Sequence, residues 1–216
     1  MPTVADLRAA INRDADLTNG EYSEDVNAAM AVAQRFCSQY SFYFNETRDV
    51  TFPTVNGREW YDSSDNTNIP TLVRIDAAFV EDGSGKRTEL TRRRPEEIER
   101  SSDGTASDGA PTDWTYFAQK IRLYPLPGST IYTVRLQLSP YRLATLDLSD
   151  DSDTNAWLSE AYDLIKASAK YVLYKDTLKD AALATEALND FRVWLTALKG
   201  ETAMRIGMGR VVATDF

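Results

Sequence analysis

The sequence of 216 residues contains no histidine and one cysteine, Cys37. The absence of histidine excludes imidazole as a general base, as the orienting partner of a nucleophile and as a metal ligand. One cysteine cannot form an intrachain disulfide or a thiolate zinc site. We therefore expect no enzymatic activity, no metal and no cofactor.

Long apolar runs are absent as well. The longest purely apolar stretch is the six residues 28–33, whereas a helix needs about 20 residues to span a bilayer. The first turn carries Asp6 where a secretory signal would have a basic region followed by an apolar one. These features predict a protein without a membrane partner in a reducing, intracellular setting.

Positive charge is also scarce. Asp and Glu outnumber Lys and Arg by 33 to 24, which gives a formal net charge of −9. This balance argues against general nucleic-acid binding, because phosphate contacts need clustered Lys and Arg. It is compatible with DNA that passes nearby without being bound. The 43% hydrophobic and 26% charged composition is that of a globular protein.

Helical periodicity marks the N-terminal residues. Apolar residues recur at spacings of three and four from Val4 to Ile11, with Thr3 placed as the N-cap. A second helix is predicted after Ser23. Because Cys37 lies on its apolar stripe, we expect a buried and unreactive thiol. That stripe comprises Val26, Met30, Ala33, Cys37 and Tyr40.

Residues 41–145 change to a period of two, which is typical of half-buried strands. One strand is predicted just before Pro53, and two more at residues 120–123 and 132–138. Because residues 125–129 supply turn formers between the last two, we expect these strands to pair as an antiparallel hairpin. A fourth strand has the alternating apolar residues Val73, Ile75, Ala77 and Phe79.

Two stretches of this region differ from the strands. Pro95–Arg100 is predicted as a short helix with proline in its first turn. Ser101–Asp113 consists mainly of Ser, Asp, Gly and Thr, which is typical of a mobile surface loop. We expect this loop to become ordered only against a neighbouring protein.

The helical period returns after the acidic run Asp150–Asp153, whose side chains favour the start of a helix. A break near Lys179–Asp180 precedes a last helix, which we expect to end at Gly200. Two helices joined by a short turn should pack as an antiparallel hairpin. Their apolar stripes comprise Trp157, Ala161, Leu164, Ile165, Ser168 and Val172 in the first helix, and Leu183, Ala187, Phe191, Trp194 and Leu198 in the second.

Two short motifs resemble ligand-binding loops. Asp151, Asp153 and Asn155 match the opening of a calcium loop, but Ala156 replaces the required glycine, so helix capping is favoured. Residues 83–86 lack the full spacing of a phosphate loop and predict a hairpin turn instead.

The densest basic cluster is Arg92, Arg93 and Arg94. Three glutamates follow within residues 96–99, so we expect local pairing to neutralise much of the charge. A solvated face or a rim that contacts an acidic neighbour is favoured, and a specific phosphate site is the alternative.

The C-terminal segment is apolar, yet Gly207 and Gly209 disfavour a helix there. An extended end with apolar side chains needs either its own core or another chain to cover it. The apolar residues are Ile206, Met208, Val211, Val212 and Phe216.

Together these patterns predict an α+β protein. Its N- and C-terminal helices would form a helical bundle with an antiparallel β module inserted between them. The expected boundaries are residues 1–40 for the N-terminal helices, 41–145 for the β module, 146–205 for the C-terminal helical hairpin and 206–216 for the extended tail.

From Asp113 onward the sequence resembles the head-to-tail adaptor (connector or neck) proteins of tailed bacteriophages, including those similar to tail tubular protein A. In that family a tryptophan strand and a proline-bearing hairpin lead to a leucine-containing loop, a capped tryptophan helix and a second helix. The N-terminal half agrees in layout. The matching segments are 113–116, 121–127, the strand through Leu138, 143–148, 153–158 and 174–176.

The resemblance implies a non-enzymatic virion protein at the head–tail connector, present in the host cytoplasm during assembly. Such adaptors form dodecameric homo-oligomeric rings beneath the portal protein, extend the channel through which DNA passes without sequence-specific binding, and dock the tail or further neck proteins. The tail from Ile206 to Phe216 would then dock on the portal. Arg92, Arg93, Arg94, Trp60 and Tyr61 would contact a neighbouring subunit or the tail.

Two other function classes remain open from the residues alone. A soluble ligand- or carbohydrate-binding module would use exposed aromatic side chains in a cleft. A hydrolase would need two carboxylates that converge in a pocket, and no pair stands out from the acidic background. The aromatic candidates are Trp60, Tyr61, Trp114 and Tyr116.

Overall fold

The structure is a computed structural model that describes residues 1–17, 20, 22–72, 74–102, 108–141 and 145–207. Residues 206 and 207 are described by their backbone alone. The protein is a mixed α+β chain, as predicted. It divides into two compact units: Met1–Asn45 together with Leu143–Phe216, and Glu46–Arg142.

The described residues contain six α-helices and nine strands. The helices are α1 (Val4–Asp14), α2 (Ser23–Cys37), α3 (Pro95–Ser101), α4 (Ala156–Glu160), α5 (Tyr162–Val172) and α6 (Ala181–Gly207). The strands are β1 (Thr47–Pro53), β2 (Trp60–Tyr61), β3 (Ile75–Glu81), β4 (Arg87–Arg92), β5 (Asp108–Gly109), β6 (Asp113–Phe117), β7 (Lys120–Tyr124), β8 (Leu126–Pro127) and β9 (Thr133–Leu138). A 3₁₀ turn, Ile69–Thr71, and a π turn, Leu173–Thr177, complete the set.

The helical unit is built around α5, against which α1, α2 and α6 pack. The predicted capping box of α1 is confirmed, since Thr3 and Asp6 each accept a backbone hydrogen bond from the other. The apolar faces of these helices share one core. Its members include Val4, Leu7, Ile11, Val26, Met30, Cys37, Phe42, Trp157, Leu164 and Ile165.

The Cys37 side chain is fully buried, as its place on the α2 stripe predicts. Burial raises the pKa of its thiol to about 12, and a hydrogen bond with Ser168 opposes this shift only in part. The helix ends at Cys37, so the last predicted member of the stripe, Tyr40, lies beyond it and is half-buried.

The acidic run before α4 forms turns rather than the cap of the helix. Asp150 accepts hydrogen bonds from the backbone and hydroxyl of Ser152, and these bonds lower the pKa of its carboxyl group. The N-cap is Asn155, whose side-chain oxygen accepts from the Trp157 backbone N–H at 2.9 Å. Capping, the interpretation favoured over a calcium loop, is thus the observed role of Asn155.

Helices α5 and α6 run antiparallel. Tyr162 at the start of α5 lines a groove with Trp194 of α6, whereas Tyr171 at the end of α5 lies beside Ala184. The predicted break is confirmed: Asp180 caps α6 by accepting from two backbone N–H groups at 2.9 Å. The predicted end at Gly200 is wrong, because α6 continues through Gly207.

The second unit contains a seven-stranded sheet in the order β1-β9-β3-β4-β6-β7-β2. All neighbours are antiparallel except β4 and β6, which pair in parallel at two positions. Strands β5 and β8 form a separate parallel pair. The core of this unit includes Phe52, Tyr61, Val80, Trp114, Ile121, Leu123, Val134, Leu136 and Leu138.

The predicted burial phase of β3 is wrong beyond Ile75. Ile75 lies opposite Leu138 and Ala77 lies opposite Gln137, so two residues of β3 face one of β9. This irregularity reverses the alternation. Ala77 and Phe79 are therefore only half-buried, and the core instead receives Ala78 and Val80. The predicted member Val73 lies outside the described residues.

The predicted hairpin of residues 120–123 with 132–138 is also wrong. Strand β7 pairs with β6 and β2, and β9 pairs with β1 and β3. The β6–β7 hairpin turns at Ala118 and Gln119, which have φ of 50° and 60°; type I′ turns require positive φ at both central positions. Neither residue type signals such a turn, which is why the sequence pattern missed it.

Three smaller predictions of this region are confirmed. A strand ends at Pro53, α3 begins at Pro95, and Gly85 has a φ of 82° in the turn between β3 and β4. The predicted loop 101–113 includes the end of α3, β5 and the start of β6, and residues 103–107 of it lie outside the described ranges.

Candidate functional site

The three consecutive arginines are not neutralised by the glutamates that follow them, contrary to prediction. Arg93 pairs instead with Asp113 of β6, with 2.8 Å between Nε and Oδ1. The Arg92 guanidinium carbon lies 5.4 Å from the centroid of the Trp114 ring. The register of β4 with β6 brings these partners together, so their distance along the chain hides the pairing from sequence analysis.

An open groove of about 500 Å³ lies beside these arginines. Ion pairs with carboxylates are absent for Arg92 and Arg94 in the described ranges. The groove therefore presents net positive charge on a chain that is acidic overall. Its lining residues are Arg92, Arg93, Arg94, Pro95, Glu97, Thr115 and Tyr116.

The two adjacent aromatic candidates differ in burial. Tyr61 is fully buried, and its hydroxyl donates to the carbonyl of Arg58 and accepts from the N–H of Val55. Burial raises the pKa of this phenol. Tyr61 is therefore a core residue and is not available for contact with another protein. Trp60 is half-buried and donates its indole N–H to Glu59 at 2.9 Å.

The buried network around Arg122 has no signal in the sequence pattern, which predicts only that residues 120–123 form a strand. The side chain is only 5% exposed. Its guanidinium binds Glu59 at 2.8 Å and Glu99 at 2.6 Å, and it lies 5.1 Å from the Trp60 ring centroid. Both glutamates are distant from Arg122 in the sequence. The alternation of apolar and polar residues along the strand therefore gives no sign that Arg122 is buried.

In the helical unit, α6 exposes large apolar side chains. Val193 is 65% exposed, Met204 is 64% exposed and Trp194 is 44% exposed. Trp194 borders a groove of about 240 Å³ between α6 and the segment 159–164. Several large apolar side chains exposed on one helix favour a contact with another protein. The predicted stripe placed Leu183 and Trp194 in the core, whereas both are exposed.

One end of this groove carries a charged network. The Tyr43 hydroxyl donates to Glu160 at 2.5 Å, and the Arg205 guanidinium carbon lies 3.6 Å from the Tyr43 ring centroid. Arg205 also pairs with Glu201 at 2.6 Å. Burial and the Glu160 carboxylate raise the pKa of Tyr43 to about 12, so this phenol stays protonated at neutral pH.

The predicted portal-docking residues fall at the limit of the described chain. Residues 206 and 207 continue α6, although Gly207 was expected to disfavour a helix there. The Ile206 side chain and the residues Met208, Val211, Val212 and Phe216 lie outside the described part.

Two of the four aromatic side chains proposed for a ligand-binding cleft are buried and cannot contact a ligand. Trp114, like Tyr61, is buried in the core, with 1% of its surface exposed. Tyr116 is half-buried and donates its hydroxyl to the carbonyl of Ile69 at 2.9 Å. An apolar helix face and a basic groove are therefore the surfaces that distinguish this protein.

These surfaces are typical of a protein that acts by contact with other proteins. The chain belongs to the SU10 adaptor protein family, whose family model matches residues 2–212. Comparison with curated proteins gives no match. None of the helices within the described ranges has the length and apolar character needed to cross a membrane.

Membership in this family confirms the predicted relationship to phage adaptors. It gives the protein a structural role as a bacteriophage head–tail adaptor and a component of the virion. The family is one of structural adaptors, which implies a non-enzymatic role, and its partners are portal and tail proteins.

Proposed function

We propose that this protein forms a ring, dodecameric as in the adaptors similar to tail tubular protein A, beneath the portal. The ring extends the DNA channel and provides the docking surface for the tail. The observation that carries this proposal is the family match, which spans residues 2–212 and thus nearly the whole chain.

The domain organisation follows from this role. Residues 1–40 and 146–205 form a helical bundle, residues 41–145 form the inserted β module, and residues 206–216 form a tail. The division of the chain into compact units at Asn45/Glu46 and Arg142/Leu143 supports these boundaries. In the ring the bundles of neighbouring copies lie side by side.

The C-terminal tail docks on the portal. Its apolar side chains, Ile206, Met208, Val211, Val212 and Phe216, supply contacts that exclude water. The long helix α6 supports this role, because it continues through Gly207 and leads directly into the rest of the tail.

The basic groove at Arg92, Arg93 and Arg94 contacts an acidic surface of the tail or of a neighbouring subunit. Unpaired guanidinium groups at the groove favour carboxylate partners, which they bind in a bidentate manner. Trp60 lies beside Arg122. Its half-buried ring also contacts the tail or a neighbouring subunit.

DNA passes through the ring without being bound. The net charge of −9, repeated in every copy, gives an acidic lumen that repels phosphate over about 8 Å at physiological salt. If reversal of the lumen acids to lysine leaves DNA retention and ejection unchanged at low salt, this part of the proposal fails.

The proposal is tested by cryo-electron microscopy of the protein mixed with its cognate portal ring. Truncation after Gly207 keeps α6 whole and removes residues 208–216, which are the part of the tail beyond the described helix. A full-length variant in which Met208, Val211, Val212 and Phe216 become serine is the matched control for chain length.

Ring density on the portal with the full chain, and its loss in both variants, is the expected result. Binding that survives in both variants would keep the adaptor role and overturn the docking role of the tail. Failure of the full chain to bind its portal would overturn the proposed function.

A further inference from the structure

Helix α6 carries charges of opposite sign on two different faces. Successive residues of a helix are rotated by about 100°, so positions three, four and seven apart lie on one side. Glu186, Asp190 and Glu201 therefore share one side, which we name the acidic face. Arg192 and Lys199, seven residues apart, share another side.

The acidic face also holds the exposed apolar side chains of α6. Leu183, Val193, Trp194 and Met204 follow the same spacing as its acids and extend over about 30 Å of helix. Glu160 and Asp163 line the groove beside Trp194 and add two further carboxylates. This face combines a large aromatic side chain with a surplus of negative charge.

The other face of α6 continues onto α2, and together they form what we name the basic face. The Phe36 ring lies 5.7 Å from the ring of Phe191 and 5.8 Å from that of Tyr40. The Lys199 ammonium lies 4.9 Å from the Tyr40 ring centroid. The exposed residues of the basic face are Val32, Phe36, Arg192 and Lys199.

Glu201 of the acidic face pairs with Arg205, and Asp163 pairs with Lys166. Other charges of the two faces lack ionic partners in the described part of the chain. Neither Arg192 nor Lys199 has a carboxylate within 4.0 Å, and neither Glu186 nor Asp190 has a cation within that distance. Arg192 donates to the amide oxygen of Asn189 at 3.5 Å. Each face thus has unpaired charge beside exposed apolar surface.

We propose that the acidic face of one copy binds the basic face of a second copy. Apolar surface meets apolar surface, and the unpaired acids of one copy pair with Arg192 and Lys199 of the next. Trp194 is the central contact, because large aromatic side chains dominate the energetics of such interfaces. This inference rests on the proposed ring and names the surfaces through which its subunits meet.

Charge decides between this arrangement and a symmetric dimer. Acidic face against acidic face would oppose like charges, which costs free energy in a partly desolvated contact. Two different faces that bind each other give a head-to-tail contact, which forms a ring when the rotation between copies closes. Each copy then uses both faces at once.

Cysteine cross-linking on portal-bound rings tests this geometry. Val193→Cys marks the acidic face and Val32→Cys marks the basic face, and the native Cys37 is buried. A bismaleimide linker should join Val193→Cys of one copy to Val32→Cys of the next. The variant with both changes should give a ladder of dimers, trimers and larger species, and each single variant should give none.

The outcomes separate the two proposals. Rings on the portal without a ladder would overturn this inference and leave the ring itself intact. Cross-linked dimers from a single variant would indicate symmetric packing and would also overturn it. Absence of rings from the portal would overturn the proposed function instead.

Charge reversal gives an independent test with a rescue. Glu186→Lys with Asp190→Lys, or Arg192→Glu with Lys199→Glu, should each abolish rings on the portal while the monomer keeps its circular dichroism and melting temperature. All four changes in one chain restore complementarity and should restore rings. Glu89→Lys with Glu96→Lys, outside the helical unit, controls for net charge and should leave rings unchanged.

Trp194→Ala should weaken assembly at least about tenfold in the concentration needed for half-maximal ring formation. Thr196→Ala, on the same helix but away from the acidic face, should not change that concentration. Equal effects of the two substitutions would overturn the assignment of Trp194 as the central contact.

Discussion

The guanidinium of Arg122 lies under the ring of Trp60, with 5.1 Å between its central carbon and the ring centroid. The same group binds Glu59 before β2 and Glu99 in α3. One side chain of β7 therefore connects a sheet edge to the short helix beside the basic groove. A buried cation of this kind is tolerated because each of its three guanidinium nitrogens has a hydrogen-bond partner.

Arg122→Met should destabilise the protein by about 2–3 kcal/mol, because two carboxylates lose their shared cation and the indole loses its cationic partner. Urea denaturation measures the loss. Arg87→Met removes an exposed ion pair with Glu81, and as the control it should cost less than about 1 kcal/mol. Equal losses for both variants would show that the Arg122 network adds nothing to stability.

Cys37 should make stability fall at alkaline pH. The unfolded thiol ionises near pH 9 and the folded one near pH 12, so between these values the unfolded state alone releases the proton. Wild type should therefore lose up to about 1.4 kcal/mol per pH unit more than Cys37→Ala above pH 9. Below pH 9 the free energies of unfolding of the two proteins should differ by a constant amount.

This prediction is checked by urea denaturation of both proteins at several values from pH 8 to pH 11. Tyrosines and lysines titrate in the same range, but they are common to both chains, so the difference isolates the thiol. Parallel curves throughout would contradict a raised folded pKa.

Local sequence signals were sufficient to predict most helices. They failed for the strands β3 and β7, because the pairing between distant segments determines which strands are neighbours and which residues are buried. Thr3, Pro95 and Asp180 each mark a helix start by chemistry that acts within one turn. The phase of β3 depends on an irregularity opposite Leu138, and the partner of β7 depends on a turn at Ala118. Neither feature has a local sequence signature.

The candidate surfaces were predictable only in part. The arginine cluster is visible in the sequence, but its pairing with Asp113 depends on the register of β4 with β6. The acidic and basic faces of α6 were missed, because its apolar residues occur all around the helix and Trp194 fits the spacing of a buried stripe. Burial of a helix face is set by the helices that pack on it.

Gly200→Ala should stabilise the protein by about 0.5–1 kcal/mol. Gly200 lies inside α6 rather than at its end, and a Cβ there would meet no atom within 4 Å. Alanine lowers the entropy of the unfolded chain and favours the helix. Gly85→Ala is the contrasting change, since its φ of 82° strains any L-residue, and it should destabilise. A loss of stability at Gly200 would contradict the observed extent of α6.

Asp180→Ala should weaken α6 at its start. The Asp180 carboxylate accepts from the backbone N–H groups of Ala182 and Leu183, both at 2.9 Å, and loss of such a cap costs about 1 kcal/mol. Asp180→Asn keeps an accepting oxygen and loses only the favourable interaction of the carboxylate charge with the helix dipole, so it should cost much less stability than the alanine variant. Hydrogen exchange should show faster exchange of amides in the first turn of α6 in the alanine variant alone. Equal exchange in both variants would mean that packing against α5, rather than the cap, fixes the start of this helix.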